Sequence, residues 1–190
     1  AKYSAEKERS VGLGVMGFHS YLQKHSIPLE SVMSKVWNKK IFKHIKEHVD
    51  QASKDLADER GPCPDAAEYG LNERFSNKTA IAPTASISII CGGASPGVEP
   101  VAANSYTHKT LSGSFNVRNR YLVELLEKHG KNNEDVWSGI TTNQGSVSDL
   151  DFLTDHEKDV FKTAFELDQK WIIELSGDRT PHISQAQSIN

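Results

Sequence analysis

The chain has little of several features that would point to a particular class of protein. Only two cysteines, Cys63 and Cys91, occur in 190 residues, which excludes a disulfide-stabilised secreted scaffold and indicates a reducing compartment. No apolar run approaches the ~20 residues that span a bilayer, and no signal peptide is recognisable. The chain also has no excess of positive charge, because it contains 22 Lys and Arg and 25 Asp and Glu. We therefore expect a globular cytoplasmic protein that binds neither nucleic acid nor membrane.

Residues 80–100 contain the most informative pattern in the chain. Its first three residues are small or apolar and predict a buried strand, which Pro83 ends because proline has no N–H to donate. Hydroxyl side chains follow at Thr84, Ser86 and Ser88. A helix begun at Thr84 or Ser86 would leave its first N–H groups unpaired, and such groups bind anions, most plausibly phosphate. The alternative, on pattern alone, is an ordinary strand–turn–helix with a capping hydroxyl.

The same segment resembles the large, catalytic subunit of class I ribonucleotide reductases. The resemblance rests on APTASIS followed by GVEP, on the flanking Arg74 and Asn77, on the R-x-x-GLGVMGF run near the start, and on QAQSIN at the end. In that family this loop holds the diphosphate of the substrate, largely through backbone N–H groups. The resemblance therefore implies that the residues binding the substrate phosphate are Thr84, Ala85, Ser86 and Ile87.

The resemblance covers the whole chain and also implies a fold. Residues 1–190 match the C-terminal portion of the family's barrel domain. The implied fold class is α/β, as a mostly helical part of the ten-stranded α/β barrel of the family. The upstream barrel strands and the extreme C-terminal tail have no counterpart in this sequence. We therefore expect a fragment, which could be a split-gene product, a piece left by an intervening element or a cloned segment.

The chemistry of the family depends on residues that this sequence does not contain. Ribonucleotide reductases remove the 2′-hydroxyl of a ribonucleotide with one thiyl cysteine, two reducing cysteines, and an Asn and a Glu near the thiyl group. None of those motifs occurs here, and neither do the paired radical-carrying tyrosines of the C-terminal tail, so we assign no catalytic residue. We expect no cofactor on this chain, whereas the whole enzyme would use a radical from a metal-containing small subunit and nucleotide effectors.

The partners implied by the resemblance follow from the same division of roles. They are a ribonucleoside diphosphate, the remainder of the large subunit and the radical-generating small subunit, in an oligomer. The alternative is a non-catalytic helical module that binds a partner protein. Part of a barrel would expose strand edges and apolar faces in either case, so association alone does not separate the two hypotheses.

A glycine motif near the start of the chain has a dinucleotide-binding spacing. Gly12, Gly14 and Gly17 form a GxGxxG pattern. A dinucleotide site needs a hydrophobic strand before the glycines, whereas the residues here are charged and favour a helix over 4–24. We expect instead that the glycines let this helix pack closely on its neighbours.

A second motif, His44-Ile-Lys-Glu47-His48, matches the H-x-x-E-H of one family of zinc proteases. The spacing places both imidazoles on one helix face, as zinc would require. No third ligand follows at an obvious position, and lysines surround the motif. We expect a solvated helix face and no metal.

Neither cysteine has the surroundings of a catalytic thiol. Cys63 lies in a GPCPD turn with no activating base nearby, so a structural role is expected. Cys91 follows Ile89 and Ile90, and this position predicts a small buried thiol.

Hydrophobic periodicity predicts the remaining elements. A β-hairpin is expected around residues 111–114, a helix over 121–129 and a turn-rich stretch over 132–148. A long helix over 36–59 should bury Ile41, Ile45, Val49, Ala52 and Leu56. A last long helix should open at a Thr154–Glu157 capping box, end near Gly177 and bury Val160, Ala164, Leu167, Trp171 and Leu175.

Overall fold

A computed structural model describes residues 1–110 and 113–189 of the chain. Helices dominate, and one antiparallel hairpin is present. The elements are α1 (Lys2–Glu8), α2 (Phe18–Lys24), α3 (Val32–Arg60), α4 (Pro64–Glu68), α5 (Ala85–Ile90), β1 (Ser105–Thr110), β2 (Gly113–Arg118), α6 (Arg120–Lys128), α7 (Glu134–Thr142), α8 (Asp155–Val160) and α9 (Gln169–Arg179). In the described part, no helix is both long and apolar enough to cross a membrane.

The chain divides into two compact units. The first comprises Ala1–Val15, Lys35–Ala82 and Ile173–Asn190, and the second comprises Met16–Ser34 and Pro83–Ile172.

In the first unit, the long helix α3 forms as predicted, but it buries a different face. Ala52 is exposed and Ile41, Ile45, Val49 and Leu56 are only partly buried, so the predicted stripe is wrong. Within this unit, the buried positions of α3 are Asn38, Phe42, Ser53 and Ala57. Polar residues can occupy this face because their hydrogen bonds are made within the unit.

Asn38 and Arg179 show how these bonds are made. The Asn38 amide donates to the Leu175 carbonyl at 2.8 Å and accepts from Arg179 Nε at 2.9 Å. The Arg179 guanidinium also lies 5.5 Å from the centre of the Phe42 ring. Burial lowers the pKa of Arg179 to about 10, so it stays charged at neutral pH.

The single helix predicted over residues 4–24 is wrong. Helix α1 ends at Glu8, its C-cap Arg9 has a left-handed φ of 48°, and the glycine-rich run that follows is not helical. Leu13 pairs with Thr79 in an isolated parallel bridge, and Ile81 pairs with Gln187 in another. The strand expected at residues 80–82 is thus represented by bridges and not by a continuous ladder.

Close backbone contact explains why glycine is needed in this run. A Cβ at Gly14 would lie 2.9 Å from the Ala80 carbonyl oxygen, which is too short for any side chain. Glycine therefore allows close packing here, as expected, but in a segment that is not helical.

In the second unit, the predicted hairpin is confirmed. Strands β1 and β2 pair antiparallel, with Ser105 opposite Arg118 and Thr110 opposite Gly113. The predicted turn residues Leu111 and Ser112 lie outside the described residues.

Helix α6 matches the helix predicted over 121–129. Leu122 and Leu126 are fully buried, Leu125 is partly buried, and Gly130 follows the helix with a left-handed φ of 63°. The Asn119 side chain caps its first turn by accepting from the Tyr121 N–H at 3.1 Å.

Helix α7 lies in the stretch that was predicted to be turn-rich. Asn133 accepts from the Val136 N–H at 3.1 Å, and the first turn carries the acidic residues Glu134 and Asp135, which favour a helix N-terminus. The helix contributes Trp137 and Ile140 to an apolar cluster, here called the α6–α8 core. Its buried members are Leu122, Leu126, Trp137, Ile140, Val147, Leu153, Val160 and Phe161.

The capping box predicted at Thr154 and Glu157 is confirmed, but the long helix after it is not. Both reciprocal bonds are present, with the Thr154 N–H donating to Glu157 at 2.8 Å and the Glu157 N–H donating to the Thr154 hydroxyl at 3.2 Å. Helix α8 ends at Val160, and α9 starts only at Gln169 and runs to Arg179, past the expected end. Between them, the Glu166 carboxylate accepts from both the N–H and the hydroxyl of Thr163 at 2.8 Å. Such local bonds compete with a continuous helix.

Candidate functional site

Thr84 occupies an unusual position at the start of α5. Its φ of 51° is left-handed, which is rare for a β-branched residue. Its hydroxyl does not cap the helix but accepts from the Gly97 N–H at 2.7 Å. The capping role that pattern alone allowed is therefore wrong for Thr84, because the side chain holds the loop that leaves α5.

The first turn of α5 presents its backbone to solvent. Ala85, Ser86 and Ile87 are exposed, and their N–H groups have no acceptor within residues 1–110 and 113–189. The first regular bond of the helix runs from the Ser88 N–H to the Thr84 carbonyl at 2.9 Å. Three of the four predicted phosphate-binding residues therefore offer unpaired N–H groups side by side.

The hydroxyls in this segment do not share one role. Ser88 is buried and its hydroxyl donates to the Ala85 carbonyl at 2.8 Å. Together with the Thr84 bond to Gly97, this leaves Ser86 as the one exposed hydroxyl of the three. The geometry therefore favours backbone N–H groups over hydroxyls as anion ligands.

The loop after α5 is anchored on α2 by a reciprocal serine pair. The Ser20 N–H donates to the Ser95 hydroxyl at 3.1 Å, and the Ser95 N–H donates to the Ser20 hydroxyl at 2.8 Å. The Gly17 N–H adds a bond to the Ser95 carbonyl at 2.9 Å. These bonds and the contact between Thr84 and Gly97 fix both ends of the segment that contains α5.

A cavity of about 400 Å³ lies beside α5 in the second unit. Its lining includes Ala85, Ser88 and Ile89 of the α5 helix, together with residues of β1, β2 and the start of α6. The lining is mostly apolar and includes two arginines, Arg118 and Arg120. Sequence reasoning missed these arginines, although the Arg-Asn-Arg run over 118–120 was a visible signal.

The two arginines differ in their partners. Arg118 binds Glu134 at 2.6 Å, which lowers the pKa of that carboxyl, and it lies 4.9 Å from the Trp137 ring centre. Arg120 lies 5.1 Å from the Tyr121 ring centre and has no carboxylate partner in the part of the chain that is described. Of the two lining arginines, Arg120 is therefore the one whose charge is not neutralised by an acidic partner among the described residues.

The GxGxxG motif does not have the geometry of a dinucleotide loop. The segment before it is helix α1 and not a strand. The Leu13 N–H, within the motif, donates a hydrogen bond to the Lys78 carbonyl at 2.9 Å. Gly17 precedes α2 with a φ of 84°, a conformation that favours glycine. The glycines act in backbone packing and turning.

The histidines of the H-x-x-E-H motif lie exposed on α3. Their ring centres are 4.1 Å apart, and His48 Nδ1 lies 2.8 Å from the carbonyl oxygen of His44. Among the described residues, no three or more His, Cys, Asp or Glu side chains are placed to hold a metal ion.

The two cysteines differ in burial. Cys63 is fully buried at the start of α4, with its sulfur 3.4 Å from the Ser76 hydroxyl, which fits the structural role predicted for it. Cys91 is exposed, so the prediction of a buried thiol is wrong. It lies directly after the short helix α5, whose neighbouring Ile90 is also exposed.

Comparison with known proteins identifies the family. The family model described as "Ribonucleotide reductase, barrel domain" matches residues 1–67 and 65–190. The chain belongs to this family. The predicted fold class, a mostly helical part of the α/β barrel of ribonucleotide reductase, is thereby confirmed.

Individual relatives agree with this assignment. The chain is 48% identical to the ribonucleoside-diphosphate reductase large subunit of Invertebrate iridescent virus 6, over 98% of this chain and 20% of that protein. It is 42% identical to the putative large subunit of Frog virus 3, over 98% of this chain and 33% of that protein. The alpha subunit of the Actinobacillus ureae class Id ribonucleotide reductase has a solved structure that superposes with a TM-score of 0.92 at 39% identity, covering 100% of this chain and 34% of that one. The chain thus spans between a fifth and about a third of the length of these relatives.

Proposed function

We propose that this chain acts in the reduction of ribonucleoside diphosphates to deoxyribonucleoside diphosphates, as a segment of the large-subunit barrel. The observation that carries the proposal is the barrel-domain match along the whole chain, together with a TM-score of 0.92 to a ribonucleotide reductase alpha subunit. The relatives named as large subunits of ribonucleoside-diphosphate reductase support a diphosphate as the substrate.

Within that reaction, the proposed role of the chain is to bind the substrate phosphates through Thr84, Ala85, Ser86 and Ile87. The unpaired N–H groups of the first turn of α5 support this role. Each hydrogen bond to a charged group contributes about 1.5–3 kcal/mol before ordering costs, whereas a micromolar ligand needs about 8 kcal/mol net. The loop by itself should therefore bind a diphosphate only weakly, in the millimolar range.

The remaining chemistry belongs to other segments in this proposal. The chain has no assigned catalytic residue and no cofactor, and the redox cysteines lie in the rest of the large subunit. A small subunit supplies the radical, and the complete enzyme is an oligomer regulated by nucleotides. The two free thiols support a cytoplasmic location, because disulfides are rare in that compartment.

A second candidate function is protein association without catalysis. Large apolar side chains are exposed in the second unit, among them Ile90 at 84% and Phe165 at 85%. These side chains favour a binding surface for another protein chain. The remainder of the large subunit is the partner that agrees with the first proposal.

Reconstitution separates the two candidates. The chain would be mixed with the remaining segments of the large subunit and with the small subunit, and formation of deoxycytidine diphosphate from cytidine diphosphate would be measured. Product that depends on this chain supports the reductase role. Stable association without product would leave only the interaction module.

The phosphate role has its own test in Ser86→Pro. Proline removes the Ser86 N–H and disturbs Ala85, so the chemical-shift changes that inorganic pyrophosphate causes at residues 84–88 should disappear in an NMR titration. Ser86→Ala is the matched control, because it loses the hydroxyl and keeps the N–H. Unchanged binding by the proline variant would contradict the backbone site, and loss of binding in both variants would mean that the hydroxyl is the ligand.

A further inference from the structure

Helix α2 buries two polar side chains one turn apart. His19 is 0% exposed and Gln23 is 3% exposed. Residues four positions apart lie on the same face of a helix. The Nε2 atoms of both side chains are buried and have no hydrogen-bond partner among the described residues.

The hydrogen bonds around Gln23 fix which end of its amide faces the unpaired side. Asn119 Oδ1 accepts from the Tyr121 N–H at 3.1 Å, so Asn119 Nδ2 is the donor to Gln23 Oε1 at 2.9 Å. The same nitrogen donates to Asn104 Oδ1 at 2.9 Å, and Asn104 Nδ2 in turn donates to the Phe161 carbonyl at 2.7 Å. These bonds fix the orientation of the Gln23 amide, because its oxygen accepts from Asn119. The unpaired atom is therefore the amide nitrogen Nε2, which is a donor.

The tautomer of His19 is fixed in the same way. The Val101 N–H donates to His19 Nδ1 at 3.1 Å, so Nδ1 carries no proton and the ring proton is on Nε2. Burial lowers the pKa of His19 to about 4, so the ring is neutral at neutral pH. Both unpaired atoms are therefore neutral N–H donors that need an oxygen acceptor.

We propose that His19 Nε2 and Gln23 Nε2 bind one enclosed water molecule. An unsatisfied buried donor costs about 1–3 kcal/mol, and a water oxygen can accept from both donors at once. Water is favoured over an anion because neither side chain is charged and burying an uncompensated charge is far more costly. A side chain from another protein is disfavoured because both nitrogen atoms are already buried within the second unit.

The proposed water supports residues that line the cavity beside α5. It completes the hydrogen bonding of Gln23, which holds Asn119, and Asn119 both caps α6 and lines the cavity beside α5. His19 in turn holds the N–H of Val101, another lining residue. The hydration site thus supports two points of the cavity wall.

NMR on the full chain, labelled with ¹⁵N, tests the site directly. The imidazole ¹⁵N shifts of His19 should show protonation at Nε2, and its ring N–H should give a cross-peak to water with the sign of a long-lived complex. A ring proton on Nδ1, or an observed Nε2 proton with no contact to water, would overturn the proposal. A shift of this proton that depends on chloride concentration would also overturn it, because the acceptor would then be an anion.

The variant Gln23→Met removes one of the two donors while keeping the length of the side chain. We expect the cross-peak between His19 and water to weaken at least severalfold, whereas it should be unchanged in Gln51→Met, an exposed glutamine on α3. An undiminished cross-peak in a folded Gln23→Met chain would show that Gln23 does not hold the water. If that variant does not fold, the measurement on the unmodified chain still decides whether the water is bound.

Discussion

The α6–α8 core and the α5 segment, both in the second unit, use apolar residues in opposite ways. Each of the eight buried members of the core is 5% exposed or less, and they come from three helices and the loops between them. The α5 segment is also rich in isoleucine, but Ile87, Ile89 and Ile90 are all exposed. Within the described residues, its backbone N–H groups at Ala85–Ile87 also have no acceptor. The comparison indicates that the core stabilises the unit, whereas α5 is held from its two ends and remains open to a ligand or another chain.

The largest expected effect comes from removing a core side chain. Trp137 is 2% exposed and donates from Nε1 to Asn132 Oδ1 at 2.8 Å. Trp137→Ala should lower the free energy of unfolding by about 3–5 kcal/mol, because it leaves a cavity in the core. Ile90→Ala on α5 should change it by no more than about 0.5 kcal/mol. Urea unfolding measures both values, and similar losses in the two variants would remove the distinction between core and open segment.

The next largest effect is a dependence of stability on pH, which we expect at the buried residue His19 of α2. The pKa of His19 falls from 6.5 to about 4 on folding, so the folded state binds this proton less readily than the unfolded state. The contribution of neutral His19 to the free energy of unfolding is fully present above pH 6.5. It is lost as the pH falls toward 4, by about 3 kcal/mol in total.

His19→Asn should reduce the acid-induced loss of stability between pH 7 and pH 4, because asparagine does not titrate and can still accept from the Val101 N–H. Urea unfolding midpoints at a series of pH values measure this difference. His48→Asn, at an exposed histidine of α3, is the control. In this variant the unfolding midpoint should change with pH as it does in the unmodified chain. An equal slope in the His19 variant would mean that His19 is not kept neutral by burial.

A smaller loss of stability than that at the core is expected at the capping box of α8. Thr154→Ala removes the acceptor of the Glu157 N–H and should destabilise the chain by about 1 kcal/mol. Thr154→Ser keeps the hydroxyl and should reduce stability much less. Thermal unfolding of the two variants therefore separates the contribution of the capping hydrogen bond from that of the Thr154 methyl group. A loss of stability as large as that of Trp137→Ala would show that α8 contributes more to the core than its short length suggests.

Local sequence signals predicted some elements correctly because their cause is local. The capping box needs only Thr154 and Glu157, and α6 needs only its leucine spacing and the glycine after it. Helix α7 could have been found in the same way, since Asn133 and the two acidic residues after it are a common helix start. The unpaired N–H groups at the start of α5 also follow from local sequence, because a helix that begins near Thr84 leaves its first N–H groups without partners.

Other features depended on contacts between residues far apart in the chain. The buried face of α3 differs from its most apolar face because Arg179, 141 positions from Asn38, satisfies that side chain. The segment around Leu13 is not helical because Leu13 pairs with Thr79, 66 positions further along the chain. The single long helix predicted after Thr154 is interrupted where the Ala164 N–H donates to the Val101 carbonyl at 2.8 Å and the Asp168 N–H donates to Glu30 at 2.7 Å.

The sequence alone determined the family, the phosphate-binding hypothesis at Thr84–Ile87, the hairpin and the helices with strong local caps. These depend on residues that are adjacent or one helical turn apart, where spacing and side-chain type fix the interactions. Only the tertiary structure decided that Thr84 holds Gly97, that Cys91 is exposed, and that His19 and Gln23 are buried with unpaired donors. Burial and hydrogen-bond partners are set by which distant segments pack together, and residue spacing along the chain does not encode that information.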